Sequence, residues 1–178
     1  YKMLKEKATN VERRQLAETV FCVAPFLLRD DIETIHAATD LLAEAKLSPE
    51  LRNEALYYRA KAYTKQKAGK KAMEDYRELA KDTRNPYGAE AKYQVAQSLY
   101  DAKEYAAAEK ELLNYIEQST PHAYWLARSF VLLSDVYHAT GKDLDARQYL
   151  LSLQQNYQGN DDIESMIESR LSKLKVEN

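Results

Sequence analysis

Apolar residues recur at spacings of three and four along most of the chain, as in the stripe Ile163, Met166, Ile167, Leu171 and Leu174, and period-two alternation is nearly absent. This pattern predicts helices and no sheet. Four glycines and four prolines punctuate it. Gly69 and Gly141 interrupt helical patterns, and Gly88 and Gly159 follow them. Ser48-Pro49, Asn85-Pro86 and Thr120-Pro121 read as an N-cap followed by a first-turn proline. Each is expected at a helix boundary. Asp30 and Glu33 form a capping box that opens "DDIETIHAATDLLAEA", with Ile32, Ile35 and Leu42 on one face. The preceding "VERRQLAETVFCVAPFLL" is expected to be its partner helix, kinked or ended by Pro25. Asp161 and Glu164 stand at the start of a predicted amphipathic helix over 161–175.

Three segments share one spacing. Ala60, Tyr63, Ala72, Tyr76 and Leu79 stand at offsets of 3, 12, 16 and 19 from the first of them, and so do Ala96, Leu99, Ala108, Leu112 and Tyr115. Ser134, Tyr137, Ala146, Leu150 and Leu153 repeat the same offsets, which marks the three as internal repeats. Their starts are 36 residues apart (60 to 96) and then 38 (96 to 134).

The pattern resembles the tetratricopeptide repeat (TPR), whose two antiparallel helices keep a small residue at one position of the first helix and one of the second. The resemblance implies an all-α, right-handed α-solenoid of antiparallel helix pairs with a C-terminal capping helix. Residues 1–47 would be a degenerate N-terminal helix pair, 48–86, 87–120 and 121–160 three repeats, and 161–178 the cap that covers the last repeat's apolar edge, all in one solenoid domain. Ala60 with Ala72, Ala96 with Ala108, and Ser134 with Ala146 would lie where paired helices approach, with Tyr105, Leu112 and Tyr115 filling the groove beside the contact. Ala106 and Ala107 then serve only to hold the helix. The units depart from the family in being longer than about 34 residues and in carrying alanine or serine where it has glycine. Trp125 lies nine residues before Ser134, so the first helix of the third unit is expected to gain a turn at "TPHAYWLARSF", with Trp125 as a packing residue.

Proteins of this family generally bind segments of other proteins in a concave groove. Carrying the family's first-helix groove positions across gives Glu54, Tyr57, Tyr58, Lys61 and Lys65 in the first repeat. The second repeat gives Glu90, Tyr93, Gln97, Tyr100 and Asp101, and the third Arg128, Asp135 and His138. Tyrosines among mixed charges suit a peptide, because flat rings give contact area at low entropy cost and hydroxyls satisfy backbone groups. Packing between repeats is the competing role for the same tyrosines. The positions that grip a terminal carboxylate in some relatives hold Tyr57, Lys61, Gln94, Arg128 and Leu132 here. Only Arg128 offers comparable charge, so a chaperone-tail clamp is not expected. The reading is a non-catalytic scaffold for a protein or peptide partner.

The rival reading is a helical-repeat enzyme acting on glycans, with Asp101 and Asp135 facing one another as acid and base. Acids in a solvated groove are more often ordinary surface charge. His36, His122 and His138 are scattered over different helices, "AGKKA" at 68–72 lacks the spacing of a phosphate loop, and no Cys/His spacing suits zinc, so neither a cofactor nor a metal is expected. A formal net charge of −2, with Glu54, Glu90, Asp101 and Asp135 set against Lys61, Lys65 and Arg128, argues against nucleic acid. The only cysteine, Cys22, cannot form an internal disulfide and is read as a buried thiol, and no apolar run reaches the roughly 18 residues a membrane span needs. A start at Tyr1, with Met3 inside, reads as a processed product or the C-terminal part of a longer chain. Long units, tyrosine-rich helices and the ending "NYQGNDDIESMIESRLSKL" are similar to bacterial cell-envelope TPR proteins, which implies a periplasmic or outer-membrane-associated location.

Overall fold

Side-chain oxygens set where several helices begin. The computed structural model describes residues 30–118 and 120–174, and the described residues form eight helices and no strand. The expectations for 11–28, including the bend at Pro25 and the buried thiol of Cys22, lie outside the described residues. The chain divides into two units, one running through Leu79 and one starting at Ala80.

The first unit holds α1 (Asp31–Leu42), α2 (Pro49–Lys65) and α3 (Gly69–Leu79). The Asp30 carboxylate accepts from the Glu33 amide at 2.8 Å and the Ser48 hydroxyl from the Leu51 amide at 3.3 Å, so two of the expected caps form. α1 packs on α2, and α2 on α3. Ala38, Leu41 and Ala55 are buried where α1 meets α2, while Ala60 and Ala72 are 0% and 3% exposed on α2 and α3. Arg59 joins all three helices. Its Nε and Nη2 donate to Asp75 on α3 at 2.8 and 2.7 Å, and its Nη1 to Thr39 on α1 at 3.2 Å. The Asp75 side chain is only 6% exposed, so the two-point bond offsets the desolvation of an otherwise costly buried charge.

The second unit holds α4 (Pro86–Asp101), α5 (Tyr105–Glu117), α6 (Ala123–Ala139), α7 (Asp143–Asn156) and α8 (Ile163–Leu171). Each helix packs on its predecessor, α6 also packs on α4, and α8 packs on both α6 and α7. The core runs through all five helices, from Tyr93 and Ala96 through Leu112, Leu133 and Leu150 to Ile163 and Ile167. Fully burying each large aliphatic side chain contributes about 1.5–3 kcal/mol. Ala96, Ala108, Ser134 and Ala146 are each 0–1% exposed, and Leu112 and Tyr115 are buried as well. Ala106 points outward.

One backbone turn occurs three times. Lys67, Lys103 and Gly141 have φ of 56°, 61° and 77°, the left-handed region in which a helix ends. In each case the amide of the next residue bonds back five residues, Ala68 to Tyr63, Glu104 to Leu99 and Lys142 to Tyr137, at 2.8–2.9 Å. Their spacings of 36 and 38 match those of the small residues. Only the third turn uses glycine. Gly69 starts α3 instead of turning the chain, because Lys67 has already made the turn.

Four boundaries differ from expectation. α6 starts at Ala123 and not at Thr120-Pro121, and its 17 residues equal the length of α2, so the third unit gains no helical turn. The extra residues lie mainly in α5, which has 13 residues against 11 in α3, and the connection before α6 runs only over 118–122. There the Thr120 hydroxyl donates to the Thr83 carbonyl at 3.0 Å, the Thr83 hydroxyl to Gln118 at 2.8 Å, and the His122 ring bonds the Arg84 carbonyl at 2.8 Å. These bonds tie the loop before α6 to the loop before α4 and remove Thr120 from a capping role. Gly88 lies buried inside the first turn of α4, because Asn85 caps that helix at the Tyr87 amide and Pro86 fills its first position. The last helix begins at Ile163, where the Ile163 amide donates to Asp161 at 3.0 Å outside the helix, and ends at Leu171, so it is shorter than 161–175.

Substituting Ala108→Leu should overpack the α4–α5 contact and lower unfolding free energy by about 1–3 kcal/mol in chemical denaturation, whereas exposed Ala106→Leu should stay within about 0.5 kcal/mol. Gly141→Ala meets no neighbouring atom within 4 Å but must hold φ near 77°, so it should lose about 1 kcal/mol through backbone strain alone.

Candidate partner-binding site

Tyr57, Lys61 and Lys65 lie on α2, in the first unit. The Lys61 ammonium sits over the Tyr57 ring at 4.6 Å from its centroid, and Tyr57 meets Tyr58 edge to face at 5.4 Å. Lys65 reaches back to Asp31 of α1 at 3.4 Å. Glu54, one turn before Tyr57 and Tyr58, keeps a buried carboxylate oxygen without a hydrogen-bond partner among the described residues, and burial pushes its carboxyl above the ordinary range.

The second unit brings Tyr93, Gln97, Asp101 and Arg128 into one hydrogen-bonded chain. Arg128 on α6 donates to the Tyr93 hydroxyl at 3.1 Å, Tyr93 donates to Gln97 Oε1 at 2.9 Å, and Gln97 Nε2 donates to Asp101 at 2.9 Å. The three α4 members stand four residues apart, one helical turn each, so they lie along one face. Tyr93 itself is 6% exposed, with its ring against Trp125 at 5.6 Å and under the Arg128 guanidinium at 5.0 Å. Trp125 packs against the core, as expected of it. Tyr93 therefore presents its hydroxyl to the network and its ring to the core.

Arg128 also turns toward the last helix. Its Nη1 donates to the Tyr124 hydroxyl at 3.2 Å and lies 3.4 Å from Asp162, and Tyr124 donates to Asp162 at 3.0 Å. Its buried Nε has no hydrogen-bond partner among the described residues. Asp135, two turns along α6, accepts from Nε and Nη2 of Arg170 on α8 at 2.7 and 2.8 Å. Both oxygens of Asp135 are thereby held by a guanidinium, while Asp101 is held by Gln97. Each carboxylate therefore has a hydrogen-bond partner of its own, on α8 for Asp135 and on α4 for Asp101.

Tyr100, Asp135 and His138 share a pocket with Arg170, Lys173 and Leu174, with a cavity volume of about 320 Å³. Burial, followed by the nearby Asp135 charge, pushes the Tyr100 hydroxyl above its usual range, so it remains a hydrogen-bond donor at neutral pH. His138 bonds Asp143 through Nδ1 at 2.8 Å in an exposed pair. Arg170, Asp162 and Tyr124 were not among the predicted site residues. Arg170 had a legible signal: it follows Ile163 and Ile167 by seven and three residues, so a charged residue stands on the apolar stripe of the cap.

Among the described residues no group of histidine, cysteine, aspartate or glutamate could hold a metal ion, and no helix is long and apolar enough to cross a membrane. Comparison with family models, with curated proteins and with solved structures finds no match to this chain.

A double-mutant cycle of Asp135→Ala and Arg170→Ala should give a coupling of about 1–2 kcal/mol in unfolding free energy, since both side chains are about one-quarter exposed and the bond is two-pointed. Additive losses would mean the pair contributes only as surface charge.

Proposed function

We propose that this chain is a non-catalytic scaffold of TPR type, a right-handed α-solenoid of antiparallel helix pairs closed by a capping helix, which docks a segment of another protein. The observation that carries this reading is the coincidence of two periods. The small buried residues and the left-handed turns recur at the same spacings of 36 and 38, as a repeated pair of helices requires. Such a fold leaves the first helix of each pair with a face not needed for its own packing. On α4 and α6 that face carries half-exposed Gln97, Tyr100, Arg128 and Asp135 and exposed Asp101 and His138.

Hydroxyl, amide and guanidinium groups in fixed orientation suit an extended polypeptide, whose backbone offers donors and acceptors in regular alternation. Tyr93, Gln97 and Arg128 already orient one another, so little side-chain freedom would be lost on docking. The glycan-hydrolase reading would instead require Asp101 and Asp135 to act as acid and base on a sugar bound between them.

Selection of peptides from a random library on the full chain, followed by NMR mapping, should place the bound peptide on α4 and α6. Asp101→Lys should change its Kd at least about tenfold while leaving the unfolding midpoint in place. Peptides that map to other helices, or a glycan turnover abolished by Asp135→Asn with binding intact, would overturn the scaffold reading.

A further inference from the structure

The pocket beside Tyr100 differs in origin from the rest of the candidate surface. Its cations, Arg170 and Lys173, come from the last helix and the residues just after it, not from a repeat. Arg170 carries five N–H donors. Two go to Asp135 and one to the Met166 carbonyl at 3.2 Å, which leaves one on each terminal nitrogen. Lys173 is exposed and makes no ion pair among the described residues. Among the described residues that line the pocket Asp135 is the only formal anion, so two cations face one anion there and the surplus is a single positive charge. The Tyr100 hydroxyl adds a neutral donor, and the Tyr100 ring and Leu174 add apolar wall.

We propose that this pocket is a carboxylate subsite that takes a glutamate or aspartate side chain of the docked polypeptide. One carboxylate matches a surplus of one charge. Its oxygens would meet the Lys173 ammonium, a remaining Arg170 N–H and the Tyr100 hydroxyl, and the methylene stem would lie against Leu174 and the tyrosine ring. A dianionic phosphate would leave one charge uncompensated. The volume of about 320 Å³ suits one side chain and is too small for a folded partner. Asp135 acts here as a positioning residue: it accepts from Arg170 on two atoms and so holds the guanidinium at the pocket wall. That the carboxylate comes from a polypeptide rests on the scaffold reading; that the pocket takes a carboxylate does not.

The test titrates the isotope-labelled full chain with N-acetyl-glutamate α-amide, with N-acetyl-glutamine amide as its neutral isostere, and with inorganic phosphate. The expected result is a set of NMR shift changes confined to Tyr100, His138, Lys173, Leu174 and their neighbours. The glutamine derivative should bind at least about tenfold more weakly. Lys173→Glu should weaken the glutamate probe by at least about tenfold and Lys173→Arg should retain it, with both spectra otherwise folded. Equal binding of the two amides, shifts elsewhere, or an unaffected Lys173→Glu would overturn the subsite, and phosphate binding tighter than the glutamate probe would overturn its assignment to a carboxylate. Because the probe is a single residue, its failure leaves docking of longer segments on α4 and α6 intact. Failure of the peptide selection with success here would leave a small-anion site without a polypeptide partner.

Discussion

Close approach of consecutive helices is the constraint on which the rest depends. Ala60, Ala72, Ala96, Ala108, Ser134 and Ala146 are all 0–3% exposed, and the helices that carry each pair pack on one another. A larger side chain at any of them would separate the helices and open voids along the contact. The left-handed turns belong to the same constraint: a helix that ends in one residue with φ near 60° lets the next helix begin within two or three residues, so the connection is too short to let the two drift apart. Lysine at two of the three turns bears a conformational cost that glycine avoids at the third.

The last helix has two consequences for the surface. It covers the apolar edge with Ile163, Ile167 and, just past its end, Leu174, all 4% exposed or less. It and the residue before it also supply the charges that complement α6, with Arg170 on Asp135 and Asp162 beside Arg128. The candidate surface is consequently not a row of free charges. It is a set of groups already oriented by one another, in which hydroxyl, amide and residual guanidinium hydrogens remain for a partner.

Aromatic residues divide between core and surface according to which part of the ring each neighbour contacts. Tyr93 buries its ring against Trp125 and gives its hydroxyl to Arg128 and Gln97, and Tyr137 is buried, with its hydroxyl pushed well above its ordinary range first by burial and then by Tyr149 and Glu109. Gly159 permits a similar closeness in the loop before α8. A Cβ there would fall 2.5 Å from the side chain of Tyr157, whose hydroxyl donates to Asp161 and so helps set the start of the last helix.

Periodicity and capping residues by themselves determined that the described residues are helical and where α1, α2 and α4 begin, because each of these follows from interactions within a turn or two of the same helix. Asp30, Ser48 and Asn85 were legible as caps for that reason. What only the tertiary structure decided involves residues about 35 apart. Thr120 was drawn from its cap to the Thr83 carbonyl, Asp135 was joined to Arg170, and Arg128 was joined to Tyr93. Either partner of each pair is an ordinary polar residue in its local context, and the distance and direction that make them partners exist only once the helices have packed.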